Sequence, residues 1–232
     1  MCALILAGCG RIDFTPLPDV PTCAALLCED FETGVLDTSI WKVQDNLGSL
    51  FVDSTQPHLG SWSAHAHTEA APSGSEILAD LYEPSVLLGV DPFHVRVWFY
   101  ASDWPALGMG KDTLVKLGNP GGNHLQLETG EQTRGVLDFG SPGFRRISTT
   151  TLPVGGWFCL EWALVPTMPQ RALMEVAVDD VPVPELSTIE VATYPPNELK
   201  FGIDQTPTGD TGAVDLWIDD IVIDTVPIGC AR

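Results

Sequence analysis

Basic side chains are scarce in this sequence. Lys and Arg number 11 against 31 Asp and Glu, for a formal net charge of −20. A surface of that sign repels phosphate backbones and anionic headgroups, which excludes nucleic acid as a partner. Long apolar runs are missing too. Beyond the N-terminus no stretch approaches the ~20 apolar residues of a membrane-spanning helix. There is no glycine-rich phosphate loop, no G-x-S-x-G turn and no C-x-x-C pair, so no signature of nucleotide binding, serine hydrolysis or a cysteine zinc site. What the chain holds in excess is turn formers, with 22 Gly and 19 Pro among 232 residues. Together with seven Trp, nine Phe and 44% hydrophobic residues, this suits many short strands joined by tight loops and disfavours a helical bundle.

The segment Leu6-Ala7-Gly8-Cys9 follows a short apolar run and precedes a polar, Pro-rich one. It resembles the lipobox of bacterial lipoproteins. On that resemblance Cys9 is the lipidation site, and residues 1–9 are the end of a truncated lipoprotein signal peptide, since Met1–Ile5 is short for an apolar core and has no basic residue. Residues 10–22, with Pro16, Pro18 and Pro21, read as a tether, and residues 23–232 as one domain. The implied address is exported and lipid-anchored to the bacterial outer membrane or cell surface. Membrane contact is expected through the N-terminal lipid only, and a monomer is expected. Of the six cysteines, Cys2 falls in the signal and Cys9 carries lipid, leaving Cys23, Cys28, Cys159 and Cys230. Even parity in an exported chain reads as two disulfides with three possible connectivities. The expected pairs are Cys23–Cys28, a local clasp at the domain entrance, and Cys159–Cys230, tying the C-terminus to an internal strand.

Strand-sized segments follow one another from residue 27 onward. Phe93–Tyr100 alternates, with Val95, Val97 and Phe99 on one face and Arg96, Trp98 and Tyr100 on the other. Asn123–Thr129 places Leu125 and Leu127 against His124, Gln126 and Glu128. Further strands are expected at Trp157–Val165, Leu173–Val178, Leu199–Ile203 and Val214–Asp224, and one within Ser75–Gly89. The pattern predicts an all-β fold of two stacked antiparallel sheets.

Particular residues go further. The opening Glu29-Asp30-Phe31-Glu32-Thr33-Gly34 with Trp41 behind it resembles the first strand of concanavalin A-like jelly-roll domains (the lectin, glucanase and LamG-like class). Leu216-Trp217-Ile218-Asp219-Asp220-Ile221-Val222-Ile223 resembles their last strand. Gly156–Trp162 and Glu175–Val183 look like their paired strands, with Asp180 in place of the usual turn glycine. The resemblance implies a jelly-roll sandwich that recognises a glycan in its concave face. It also implies a structural Ca2+ between the first and last strands, with Glu29, Asp30, Glu32 and Asp220 as hard oxygen ligands.

No E-x-D-x-E strand of the laminarinase-like branch is present. Glu128 and Glu131 are three apart and cannot share one face of a regular strand. The faces Arg96/Trp98/Tyr100 and His124/Gln126/Glu128 are expected to form one carbohydrate-binding strip. In the alginate-lyase-like branch a comparable set would neutralise a uronate and move protons. By that likeness Tyr100, His124, Gln126 and Arg96 are the candidate catalytic residues, although the branch's own Q-x-H order is reversed here. The expected function is therefore a surface carbohydrate-binding module, with a polysaccharide lyase or glycosidase as the alternative. His65-Ala66-His67 sets two imidazoles on one strand face, a possible metal pair with no third ligand nearby in sequence.

Overall fold

The computed structural model describes residues 23–84, 92–104, 112–118, 122–129, 135–193, 198–205, 209 and 211–230. The segment carrying Cys9 and the tether lies outside them. Among the described residues there are sixteen strands and no helix. The first six are β1 (Leu27–Glu29), β2 (Lys42–Asn46), β3 (Gly48–Asp53), β4 (Ser63–Thr68), β5 (Ile77–Glu83) and β6 (Phe93–Ala101). Then come β7 (Thr113–Gly118), β8 (His124–Thr129), β9 (Val136–Ser141), β10 (Phe144–Thr151) and β11 (Trp157–Met168). The last are β12 (Arg171–Val178), β13 (Val181–Pro182), β14 (Ile189–Ala192), β15 (Glu198–Gln205) and β16 (Val214–Asp224). A nine-stranded sheet runs β13-β12-β11-β6-β16-β4-β3, with β1 added beside β16 and β14 beside β12. A seven-stranded sheet runs β10-β9-β8-β7-β15-β5-β2. All pairings are antiparallel.

Alternation decides what lies between the sheets. Val97 and Phe99 from β6, Leu160 and Trp162 from β11, Leu127 from β8 and Phe201 from β15 are all buried there. Trp41 meets Phe201 edge-on at 6.0 Å, and Phe93 meets Trp162 likewise at 6.1 Å, the geometry that aromatic quadrupoles favour. The last strand breaks its own alternation. A register shift between Asp219 and Val222 inserts a bulge, with Asp220 at φ +52°. Ile218 and Ile221, three apart, thereby both reach the core, while Asp219 and Asp220 stay off it. Neither carboxylate of this mid-strand pair has to enter the apolar layer.

Carboxylates elsewhere act as acceptors for backbone donors. Glu29 accepts from the Phe31 N–H and the Trp41 indole, both at 2.9 Å. This fixes Phe31 at φ +55° with its ring fully buried. Glu32 accepts from the Ser61 and Trp62 amides. Cys23 is joined to Cys28, and Cys159 to Cys230. Around the second bridge the turn Asp179-Asp180, both residues at positive φ, receives the Cys159 N–H on Asp179 and the Cys230 N–H on Asp180, each at 2.8 Å. A glycine at position 180 would relax the turn but lose that acceptor.

Glu29→Ala should lower stability by about 1–3 kcal/mol, because it leaves the buried Trp41 N–H without a partner. Glu29→Gln, which keeps one acceptor, should cost less. Urea denaturation with a chelator present, so that no bound ion contributes, measures both.

Candidate functional site

The face of the seven-stranded sheet turned away from the core is polar and recessed. Cross-strand register places one row of side chains over all seven strands. Lys42 faces Tyr82 and Tyr82 faces Lys200. Lys200 faces Lys116, which faces Gln126. Gln126 in turn faces Gly140, and Gly140 faces Arg145. Beside this row lie Gln44, Asp80 and Gly202 in mutual register, and Glu128 opposite Asp138. Each is delivered by the same local rule. Asp80 sits between Ala79 and Leu81, Lys200 between Leu199 and Phe201, and Asp138 between Leu137 and Phe139, whose apolar side chains are committed to the core.

These charged groups are buried although they face outward, with Glu128 0%, Asp80 1% and Asp138 1% exposed. Lys116 pairs with Asp204 at 2.8 Å, and Arg145 with Asp138 at 2.9 Å and Glu128 at 3.6 Å. Lys200 donates to Gln44, and Gln126 donates to Glu128. Asp80 is different, because both of its carboxylate oxygens are buried without a hydrogen-bond partner. Burial pushes its pKa up to about 7, with Asp204 and Glu198 adding to the rise and Lys200 and Lys116 opposing it. Asp138 is also raised by burial, against the pull of Arg145. Asp80 is thus a carboxyl able to take up or release a proton near neutrality.

Glycines open the floor between these groups. Gly118, Gly140 and Gly202 come from three different strands and occupy outward positions. At Gly202 (φ +139°) an added Cβ would lie 2.3 Å from the Ala79 carbonyl oxygen, so no side chain is tolerated beside Asp80. Strand glycines of this kind permit close approach to the backbone, here by the protein's own groups: Glu198 at Gly118, Glu128 and Gln126 at Gly140, and the Ala79 carbonyl at Gly202.

The residues expected from the sequence do not form one strip. Arg96, Trp98 and Tyr100 lie on β6 in the nine-stranded sheet, whereas His124, Gln126 and Glu128 lie on β8 in the other. Their outward faces point to opposite sides of the molecule, so Tyr100, His124, Gln126 and Arg96 cannot act on a shared sugar. Arg96 reaches the carbonyl oxygens of Gly229 and Asp220, both at 3.4 Å, and holds the C-terminal segment. Trp98 is covered by the His58 ring, stacked at 3.8 Å. That ring is held in turn by Asp220 at 2.7 Å, while Asp219 accepts the His58 amide. Trp98 is therefore not a free stacking platform. Tyr100 lies edge-on to Trp157 and Trp217. Gln126 and Glu128 do belong to the recessed face, and half-buried His124 lies at its side, opposite Gly118.

The four carboxylates expected to hold calcium do not fit a common ion. Glu29 and Glu32 are turned onto the donors named above, Asp30 accepts from the Glu32 amide, and Asp220 holds His58. They are not among the groups of three or more ligand atoms that the described residues bring within 4.8 Å.

No family model matches this sequence, and no curated protein does. Solved structures do match in shape. The cellulose-induced protein Cip1 superposes with a TM-score of 0.69 at 21% identity, over 88% of this chain and 100% of that one. An endo-β-1,4-glucuronan lyase from the fungus Trichoderma reesei gives 0.68 at 13% identity, over 87% and 96%. Alginate lyase Aly36B gives 0.56 at 9% identity, over 89% and 98%. The fold is a concanavalin A-like jelly roll. At these identities the likeness fixes the fold alone.

Sequence reading missed Asp80, Tyr82, Lys116, Lys200, Asp138 and Arg145. Asp80, Lys200 and Asp138 lie in readable alternations and Arg145 does not, and pairing between distant strands was needed to bring them together. The carboxylate partner of Glu128 is Asp138 on the next strand, while Glu131 lies outside the described residues.

Because the folded pKa of Asp80 lies above its unfolded value near 3.8, the native state holds this proton more tightly. The contribution to stability is full below pH 4 and is lost as pH rises through about 7. Asp80→Asn should match the parent near pH 4 and exceed it increasingly up to pH 7, with a constant advantage above. Melting temperatures across this range check the sign.

Proposed function

We propose that the recessed face of the seven-stranded sheet binds a glycan, and that the glycan carries carboxylates. One observation carries this reading. In a chain of net charge −20, four of the 11 basic residues, Lys42, Lys116, Lys200 and Arg145, stand in one cross-strand row on this face. The polymer backbone would lie along the row, with Gln44, Gln126 and Tyr82 offering hydroxyl partners. The structural neighbours include proteins titled as lyases of glucuronan and alginate, polymers of uronic acids, which supports the same ligand class.

A second reading is favoured by Asp80, a partnerless carboxyl with pKa about 7 on the same strand face as Tyr82. In β-elimination a base removes the C5 proton of a uronate, the electron pair forms the C4–C5 double bond, and the C4 oxygen leaves with a proton. Lys116 or Lys200 would stabilise the charge developing on the uronate carboxylate, Asp80 would accept the proton, and Tyr82 would protonate the leaving oxygen.

Export is supported by the two disulfides. We propose that Cys9 anchors the protein to the cell surface through lipid.

Lys116→Met and Lys200→Met should each weaken binding of oligoglucuronate about tenfold or more, a loss of ~1.4 kcal/mol, and leave the melting temperature within a few degrees. Equal affinity of parent and variants, or a preference of the parent for neutral glucans, would exclude the reading. If the face is catalytic, unsaturated product will accumulate by ultraviolet absorbance, and Tyr82→Phe will abolish it while binding persists.

A further inference from the structure

The opposite sheet carries a second constellation, independent of the glycan reading. His65 and His67 are two apart on β4 and share its outward face, and Asp215 on β16 lies directly opposite His67. His65 Nε2 is 2.9 Å from Asp215 Oδ1, and His67 Nδ1 is 2.7 Å from the same oxygen. The third ligand that the sequence could not supply is thus brought in by strand pairing, from about 150 residues away.

The outer ring nitrogens decide the chemistry. His65 Nδ1 lies 2.9 Å from Asp53 Oδ2, while Asp53 Oδ1 accepts from the Thr55 amide and hydroxyl. Asp53 is an acceptor throughout, so His65 must carry its proton on Nδ1. The Nε2 of His65 is then the nitrogen left to face Asp215, as a donor to its carboxylate or as a metal ligand beside it. His67 turns Nδ1 to Asp215, while its Nε2 is 3.6 Å from the exposed Glu69 carboxylate and free to adopt either tautomer. Two imidazole nitrogens and a carboxylate oxygen thus converge on one point, where a metal cation can take the place of the hydrogen-bonding protons. The Asp53 carboxylate behind His65 is the arrangement that fixes tautomer and raises ligand basicity in metal sites.

We propose that His65, His67 and Asp215 bind a divalent first-row transition ion, with Zn2+ the reference case. Two imidazoles and one carboxylate suit such ions better than Ca2+ or Mg2+. In a tetrahedral zinc site ligand atoms are roughly 3.3 Å apart, from bonds of about 2.0–2.1 Å, so the observed separations need open only by about half an ångström. The site rests on two hydrogen-bonded strands. Trp217 stacks on the His65 ring at 4.2 Å, with Phe51 at 4.9 Å. The His67 and Asp215 side chains keep 32% and 33% of their exposure, which leaves a coordination position open to solvent. The other three-ligand group, Glu161, Asp180 and Cys230, is spent, because Cys230 is in a disulfide.

The test is calorimetric titration of the chelator-stripped full chain with ZnCl2, its free thiols blocked beforehand. One equivalent should bind with micromolar or tighter affinity. His67→Ala and Asp215→Asn should each weaken it at least a hundredfold. Asp53→Asn, which touches no metal, should weaken it tenfold to a hundredfold. With Cu2+ as probe, electron paramagnetic resonance should show coupling to two nitrogens and lose it in His65→Ala. Near-ultraviolet circular dichroism establishes that each variant is folded, with His67→Gln replacing any alanine variant that is not. No saturable zinc binding by the folded parent, or binding that survives in the folded His67 and Asp215 variants, overturns the proposal.

Discussion

A chain this acidic has to keep most of its carboxylates in solvent or against donors, and much of the architecture follows from that constraint. Glu32, Asp179, Asp180, Asp219 and Glu161 each accept a backbone N–H from another part of the chain, and Glu29 accepts the Trp41 indole. These bonds staple the entry turn, the loop ending at Trp62, the loop carrying His58, the acidic hairpin and the C-terminal segment onto the sheets. The acids act as loop anchors. Asp80 has no such donor and burial raises its proton affinity; at Glu29 burial does the same against the pull of its two donors.

The apolar half of the fold could be read from the sequence. Val97, Phe99, Leu127 and Trp162 declare themselves by strict alternation, and all are in the core. The polar half could not, because alternation assigns a residue to a face of its strand without saying which sheet the strand joins. The β6 and β8 triplets have the same pattern and lie on opposite sides of the sandwich. Trp98 faces outward as read, yet lies under His58, whose loop arrives from forty residues upstream. The bulge at Asp219 was hidden for a related reason. A two-residue period predicts one of the paired aspartates inside, and only the cross-strand register shows that an inserted residue prevents it.

The two outer faces divide the molecule's polar chemistry. On the seven-stranded sheet, cations, amides and carboxyls lie in rows over a floor of glycines, an arrangement matched to an extended ligand. On the nine-stranded sheet, the row Phe51, His65, Trp217, Tyr100 and Trp157 crosses five strands in register. Its aromatic rings pack on the His65 imidazole and hold it in place. Both depend on the same central layer, in which β6 is gripped between β11 and β16.

The floor glycines differ in how much they constrain what the face could become. A methyl group at Gly140 would stand 3.3 Å from the Glu128 carboxylate and 3.4 Å from Gln126, both movable, and at Gly118 it would meet the end of the Glu198 side chain. At Gly202 it would strike main-chain atoms of β5. Drift in ligand preference across a lineage is therefore open at two of these positions and closed at the third. The strip beside Asp80 would be inherited unchanged while its flanks diversify.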